Sequence, residues 1–147
     1  MNEYPKLNFP AIRLQAQRRE GQTLVWDSLR GRFLVLTPEE WVRRHVIAYL
    51  CSCCGVEPLS VVQEYPVPLN GTSQRADVVV VDKEGKPAIL VECKACDVKI
   101  DSDVYAQAVR YNSVVRARYL ILTNGITHFC FEYSDGDYRR MQQFPQL

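Results

Sequence analysis

The chain has no apolar run long enough to cross a bilayer. Its first residues, Met1-Asn2-Glu3-Tyr4-Pro5-Lys6, lack the apolar stretch of a secretory signal, so a cytoplasmic protein with no membrane contact is expected. Neither sign of charge dominates: the net charge is +1, which by itself points to no acidic or basic partner. Histidine is scarce. His45 and His128 are isolated in the sequence, and both read as structural. Repeats, low-complexity tracts and linkers are absent, and 147 residues suit one domain, residues 1–147, with a substantial core. Without a signal peptide the six cysteines are expected as reduced thiols. Zinc is not expected. Cys93 and Cys96 have a C-x-x-C spacing, but Cys93 falls inside a predicted strand, and Cys51, Cys53 and Cys54 crowd one helix end.

Hydrophobic residues make up 47% of the chain, as in a globular protein. The 18 basic residues comprise 13 Arg and 5 Lys, and arginine suits bidentate phosphate contacts. A mild basic excess between Lys6 and Arg44 fits a solvated surface as well as a nucleic-acid face.

Short strands are predicted at residues 12–17, 23–26 and 32–36, making an N-terminal β-meander within residues 1–36. Thr37-Pro38-Glu39-Glu40 opens a helix: Thr37 can cap, Pro38 fits the first turn, and Glu40 completes a capping box. The stripe Val42, Val46, Tyr49, Leu50 runs at helical spacing, to a stop near Gly55. Residues 61–67 read as an edge strand because of Pro66 and Pro68. Asp101-Ser102-Asp103 opens a second helix to about Val115. Strands follow at 118–123 and 127–133 around Asn124-Gly125, and a last one at 138–144, within a C-terminal portion 134–147. The order predicts an α/β (α+β) fold: a mixed sheet with helices packed on it.

The richest stretch is Arg75-Ala76-Asp77 with Val78 to Val81, a turn at residues 82–87, then Ala88 to Lys94. Two apolar runs about a Gly/Pro turn read as a β-hairpin. Reflection about Glu84-Gly85 sets Val81 opposite Ala88 and Asp77 opposite Glu92. Lys94, two residues on, joins their face. Two carboxylates and an ammonium then meet at strand ends. Opposed carboxylates repel unless a positive charge lies between them, and hard oxygen ligands suit Mg²⁺. Asp77 and Glu92 would bind the ion with the Cys93 backbone carbonyl and waters, while Lys94 serves the attacking water. A solvated hairpin with a cross-strand salt bridge is the plainer alternative. The continuous apolar runs argue against it, because they belong to strands buried on both faces. Glu40 or Glu64 is a candidate third carboxylate, although the capping box accounts for Glu40. Gln107 and Tyr111, four apart on the second helix, either reach toward the site or are a boundary amide and a core ring.

At these residues the chain resembles the restriction-endonuclease-like nucleases. Asp77 with Glu92-x-Lys94 matches their D…(D/E)-x-K signature, and Gln107-x-x-x-Tyr111 matches the Q-x-x-x-Y motif of the recombination-exonuclease branch. A longer string is similar to the N-terminal nuclease domain of type I restriction enzyme R subunits: residues 37–43, Arg75-x-Asp77, Val91-Glu92-Cys93-Lys94, Gln107-Ala108-x-x-Tyr111-Asn112 and Leu122-Thr123-Asn124-Gly125. The resemblance spans roughly residues 37–133. It implies a restriction-endonuclease-like core, DNA cleavage as an endonuclease of the PD-(D/E)xK kind, and Mg²⁺, with Mn²⁺ able to substitute. It makes Asp77, Glu92, Lys94, Gln107 and Tyr111 the catalytic set and sets Arg75 and Arg110 toward DNA. A full R subunit also carries a translocating motor, which 147 residues cannot hold, so a separate motor or specificity subunit is the expected partner. The alternative is a silent DNA-binding or assembly module that keeps the fold.

Overall fold

The computed structural model describes residues 4–147. An antiparallel meander comes first: β1 (Ala16–Arg19), β2 (Gln22–Asp27) and β3 (Arg32–Val35). Helix α1 (Pro38–Cys53) follows. Six strands then build one mixed sheet in chain order: β4 (Val61–Leu69), β5 (Thr72–Val81), β6 (Pro87–Cys93), β7 (Tyr119–Thr123), β8 (His128–Ser134) and β9 (Asp137–Met141). Only β6 and β7 run parallel, because helix α2 (Ser102–Val115) carries the chain back between them. The expected mixed sheet with packed helices and an N-terminal meander is therefore the observed architecture. Among the described residues no helix is long and apolar enough to cross a membrane.

Each helix covers one face of the sheet. Val42, Val46 and Leu50 of α1 pack on Val78, Val80, Val91 and Ile121. Ala108, Tyr111 and Val115 of α2 pack on Val79, Leu90, Leu120 and Leu122. Burial on both faces is why β5 and β6 are apolar without alternation.

Helix α1 starts as its sequence directs. The Thr37 hydroxyl accepts the Glu40 N–H at 3.1 Å, and Pro38 stands in the first turn. The other half of the capping box does not form. The Glu40 carboxylate turns inward to Arg44 Nε at 2.8 Å, since a buried guanidinium is a stronger partner than a backbone amide. After the helix Gly55 has φ +75°, and a side chain there would collide with the Leu147 backbone.

Three boundaries depart from the sequence reading. The first strand begins at Ala16 rather than residue 12, because the tight Glu20-Gly21 turn pairs Arg19 with Gln22; Ile12 and Leu14 instead line a cavity against α1. The last strand stops at Met141, which frees Phe144 to pack on Phe9, Tyr49 and His128. β5 begins at Thr72, after an Asn70-Gly71 turn with both φ positive, so Asp77 lies within its strand and not at its end.

The meander is joined to the rest by a buried carboxylate. Asp27, 1% exposed, accepts from Arg30 Nε at 2.5 Å, Gln63 Nε2 at 2.9 Å and the Leu29 N–H at 3.0 Å, and pairs with Arg44 at 3.2 Å. Burial pushes its pKa up, but these donors outweigh burial and hold it below the ordinary value. Asp27→Ala leaves the Arg44 guanidinium buried with one carboxylate fewer. Chemical denaturation of this variant should show a loss of about 3–5 kcal/mol, the usual result of removing one partner of a buried pair.

Candidate functional site

The β5–β6 ladder pairs Val78 with Val91, Val79 with Leu90 and Val80 with Ile89. That is the register expected from the sequence through these residues. It slips only near the turn, where Val81 faces Pro87 instead of Ala88. The turn is drawn in by Asp82, whose N–H reaches the Lys86 carbonyl at 2.7 Å and whose carboxylate accepts from the Glu84 and Lys86 N–H groups. At the other end the side chains of Asp77 and Glu92 replace the ladder. The Glu92 carboxylate accepts the Asp77 N–H at 3.2 Å, and the Asp77 carboxylate accepts the Cys93 N–H at 2.7 Å. The two acids are thus locked across adjacent strands.

Asp77 also marks a turnover of the β4–β5 hairpin. Gln63 and Val78 lie on the α1 side, whereas their neighbours Tyr65 and Ala76 pack on the α2 side. Between them Glu64 takes φ +53°, an unfavourable conformation for a residue with a side chain. Such strain gathers where a structure must aim particular groups. Here it sets Asp77 where residues from both helices reach it.

Glu92 is 6% exposed. Burial first, and then the charge of Asp77, push its carboxyl up to about 9. Burial raises Asp77 as well, opposed by the Cys93 N–H and Arg43. Both carboxyls are therefore raised, each by burial before any neighbouring charge. The charge of Lys94, which is half-buried, bears on Glu92, Asp77 and Glu39.

Glu39 escaped the sequence reading. Its carboxyl is raised by burial and then by the charge of Asp77, and lowered by Lys94 and Arg43. The two glutamates considered as a third carboxylate have other partners. Glu40 bonds Arg44 at 2.8 Å and stands 3.6 Å from Arg43; Glu64 bonds Arg30 at 3.1 Å. A helical offset from the Thr37 cap would have separated Glu39 from Glu40. Arg43, also unforeseen, lies 3.8 Å from Asp77.

On the other side, Gln107 Nε2 donates to the Tyr111 hydroxyl at 3.0 Å, and that hydroxyl donates to Gln74 of β5 at 3.3 Å. Burial and then the Glu92 charge raise Tyr111. The structure thus brings Gln107 and Tyr111 to the α2 side of the pair, with Gln74 as an added partner. Arg75 and Arg110 are exposed beside Asp77 and Tyr111 in sequence. His45 bonds the Trp41 carbonyl and His128 bonds Thr123 and Asn8, and burial lowers both pKa values.

The donor set fits a hard divalent ion on one condition. Among the described residues no three carboxylate, imidazole or thiol groups are close enough to hold a metal alone. Mg²⁺ does not require this, since it keeps several waters and takes one or two protein carboxylates. Buried Glu92 and half-buried Asp77, both raised by burial, offer such a pair of carboxylates.

Residues 38–145 match the family described as type I restriction enzyme R protein N terminus. Among solved structures, the chain is similar to a fragment described as the HsdR subunit of a type I restriction enzyme from Vibrio vulnificus YJ016, with a TM-score of 0.56 and 22% identity. That likeness covers 76% of this chain and 24% of the other. Comparison with curated proteins gives no match. By the span of the family match, the chain belongs to the type I restriction enzyme R protein N-terminal family.

Proposed function

We propose that the chain is a PD-(D/E)xK-type nuclease domain that hydrolyses phosphodiester bonds of DNA with Mg²⁺, in restriction or DNA processing, with a separate motor or specificity subunit as partner. The observation that carries this reading is the pair of half-buried Asp77 and buried Glu92, opposed across two strands and attended by Lys94. Asp77 and Glu92 would hold the ion, with the charge of Glu39 acting on Asp77. When bound, Mg²⁺ acidifies a water and stabilises charge on the phosphate. Lys94 orients the attacking water and offsets charge developing on the phosphate oxygens. The Gln107–Tyr111–Gln74 chain fixes a hydroxyl on the α2 side of Glu92 for the DNA backbone. Arg75 and Arg110, both exposed, supply phosphate contacts that give affinity without sequence preference.

The metal is tested by melting. An ion that binds the folded chain alone stabilises it by roughly 2.7 kcal/mol at about 100 times its dissociation constant. Asp77→Asn should remove most of that gain. A wild-type melting temperature indifferent to Mg²⁺ would defeat the proposal.

The acid pair makes metal-free stability depend on pH. From about pH 4.5, the ordinary value, to about 9 the unfolded chain releases a proton that Glu92 retains when folded. The fold therefore loses stability as pH rises through this window. Melting curves from pH 5 to 9 should show the decline in the wild type and a flatter profile in Glu92→Gln.

Chemistry is separated from binding at Lys94. An ammonium offers no lone pair to a metal, so Lys94→Ala should not weaken Mg²⁺ binding and should leave DNA affinity within a few-fold of wild type. Cleavage of plasmid DNA should fall about 100-fold or more, as when a charge stabilising the transition state is lost. Equal cleavage by mutant and wild type at one salt concentration would sink the mechanism.

A further inference from the structure

Arg43 and Arg44, consecutive on α1, are equally buried and unequally bonded, each 7% exposed. Arg44 donates to Glu40 and Gln63 and pairs with Asp27. Among the described residues Arg43 Nε and Nη1 have no hydrogen-bond partner. Its Nε stands 3.6 Å from Glu40 and its Nη2 3.8 Å from Asp77, while Nε and Nη1 are enclosed without an acceptor. Unmet donors on a buried charge are destabilising. A guanidinium whose task was to brace Asp77 would fork onto it, as Arg44 does with its own partners.

The charges around the pair suggest another task. Glu39, Asp77 and Glu92 carry up to three negative charges, and Lys94 and Arg43 carry two positive ones, while Glu40 is matched by Arg44. A divalent cation brings this set to one net positive charge, which a phosphodiester neutralises. Without Arg43 the loaded site is neutral and its attraction for the phosphate falls. At 3.8 Å the guanidinium acts on Asp77 through a poorly screened interior without occupying its free oxygen.

We infer that Arg43 is a positioning residue whose enclosed charge makes the cation-loaded site attract a phosphodiester, by its field and not by contact. The inference rests on the nuclease reading above. It predicts opposite effects on the two ligands. Removing a positive charge beside a divalent ion cannot weaken that ion, because the ion gains at least as much as the proton it displaces.

The test uses Ca²⁺ as the probe metal, with calorimetry for the ion, and a DNA duplex titrated in the presence of Ca²⁺. Arg43→Met and Arg43→Gln should bind Ca²⁺ as tightly as wild type or up to about tenfold tighter. Both should bind the duplex several-fold more weakly. Arg43→Lys, which keeps the charge, should match the wild type on both counts. Melting curves identify any variant that fails to fold, and two neutral variants keep the comparison open. Weaker Ca²⁺ binding by both folded neutral variants would show Arg43 to be a brace for Asp77 and overturn the inference. Unchanged duplex binding would overturn it too. If Asp77→Asn binds Ca²⁺ as the wild type does, the carboxylate-pair reading itself fails, and this inference with it.

Discussion

A row of alternating buried charges under α1 ties this molecule together: Asp27, Arg44, Glu40, Arg43 and Asp77. Asp27 anchors the meander to α1 and β4. Asp77 belongs to the strand pair that carries the candidate site. Glu40 is the shared member, approached by both arginines. Buried ions persist only when paired, so each end of the row constrains the other. The meander sequence contains none of the signature residues, yet through this row it helps fix the helix that faces them.

The row differs along its length, and the difference separates structure from chemistry. At the Asp27 end the contacts are short and every donor of Arg44 that matters is engaged. At the Asp77 end the distances open beyond hydrogen-bond reach, and burial raises the carboxyls of Asp77 and Glu92. A protein that gained only stability from its buried charges would close both ends. The open end coincides with the turnover at Asp77 and the unfavourable backbone of Glu64.

Much of this could be read from the sequence because it depends on local spacing. The cap at Thr37, the apolar stripe of α1 and the turn after Val81 are short-range signals, and the hairpin register follows from counting residues across that turn. The slip at Val81 shows the limit of counting, but it stays at the turn and does not reach Asp77. What could not be read were long-range partners. Nothing near Asp27 in sequence shows that it meets Arg44 and Gln63. The capping box made Glu40 look complete because the competing guanidinium is visible only once the helix is docked. The length of β5 was missed for a different reason: Asn70-Gly71 is a turn signal, but Pro66 and Pro68 masked the strand before it.

The distinction between Glu39 and Glu40 comes from helix geometry. Residues four apart share a face, while adjacent ones are turned about 100° from each other. Glu39 and Arg43 form one such pair and Glu40 and Arg44 the next. The first pair looks toward Asp77 and Lys94, the second toward Asp27 and Gln63. The repeated Glu-Glu and Arg-Arg of this helix therefore serve two sites one residue out of phase. A shift of α1 by a single residue would break this phase, carrying Arg44 away from Asp27 and Gln63. The Thr37 cap, Pro38 and the fully buried Val42, Val46 and Leu50 hold the phase that prevents this.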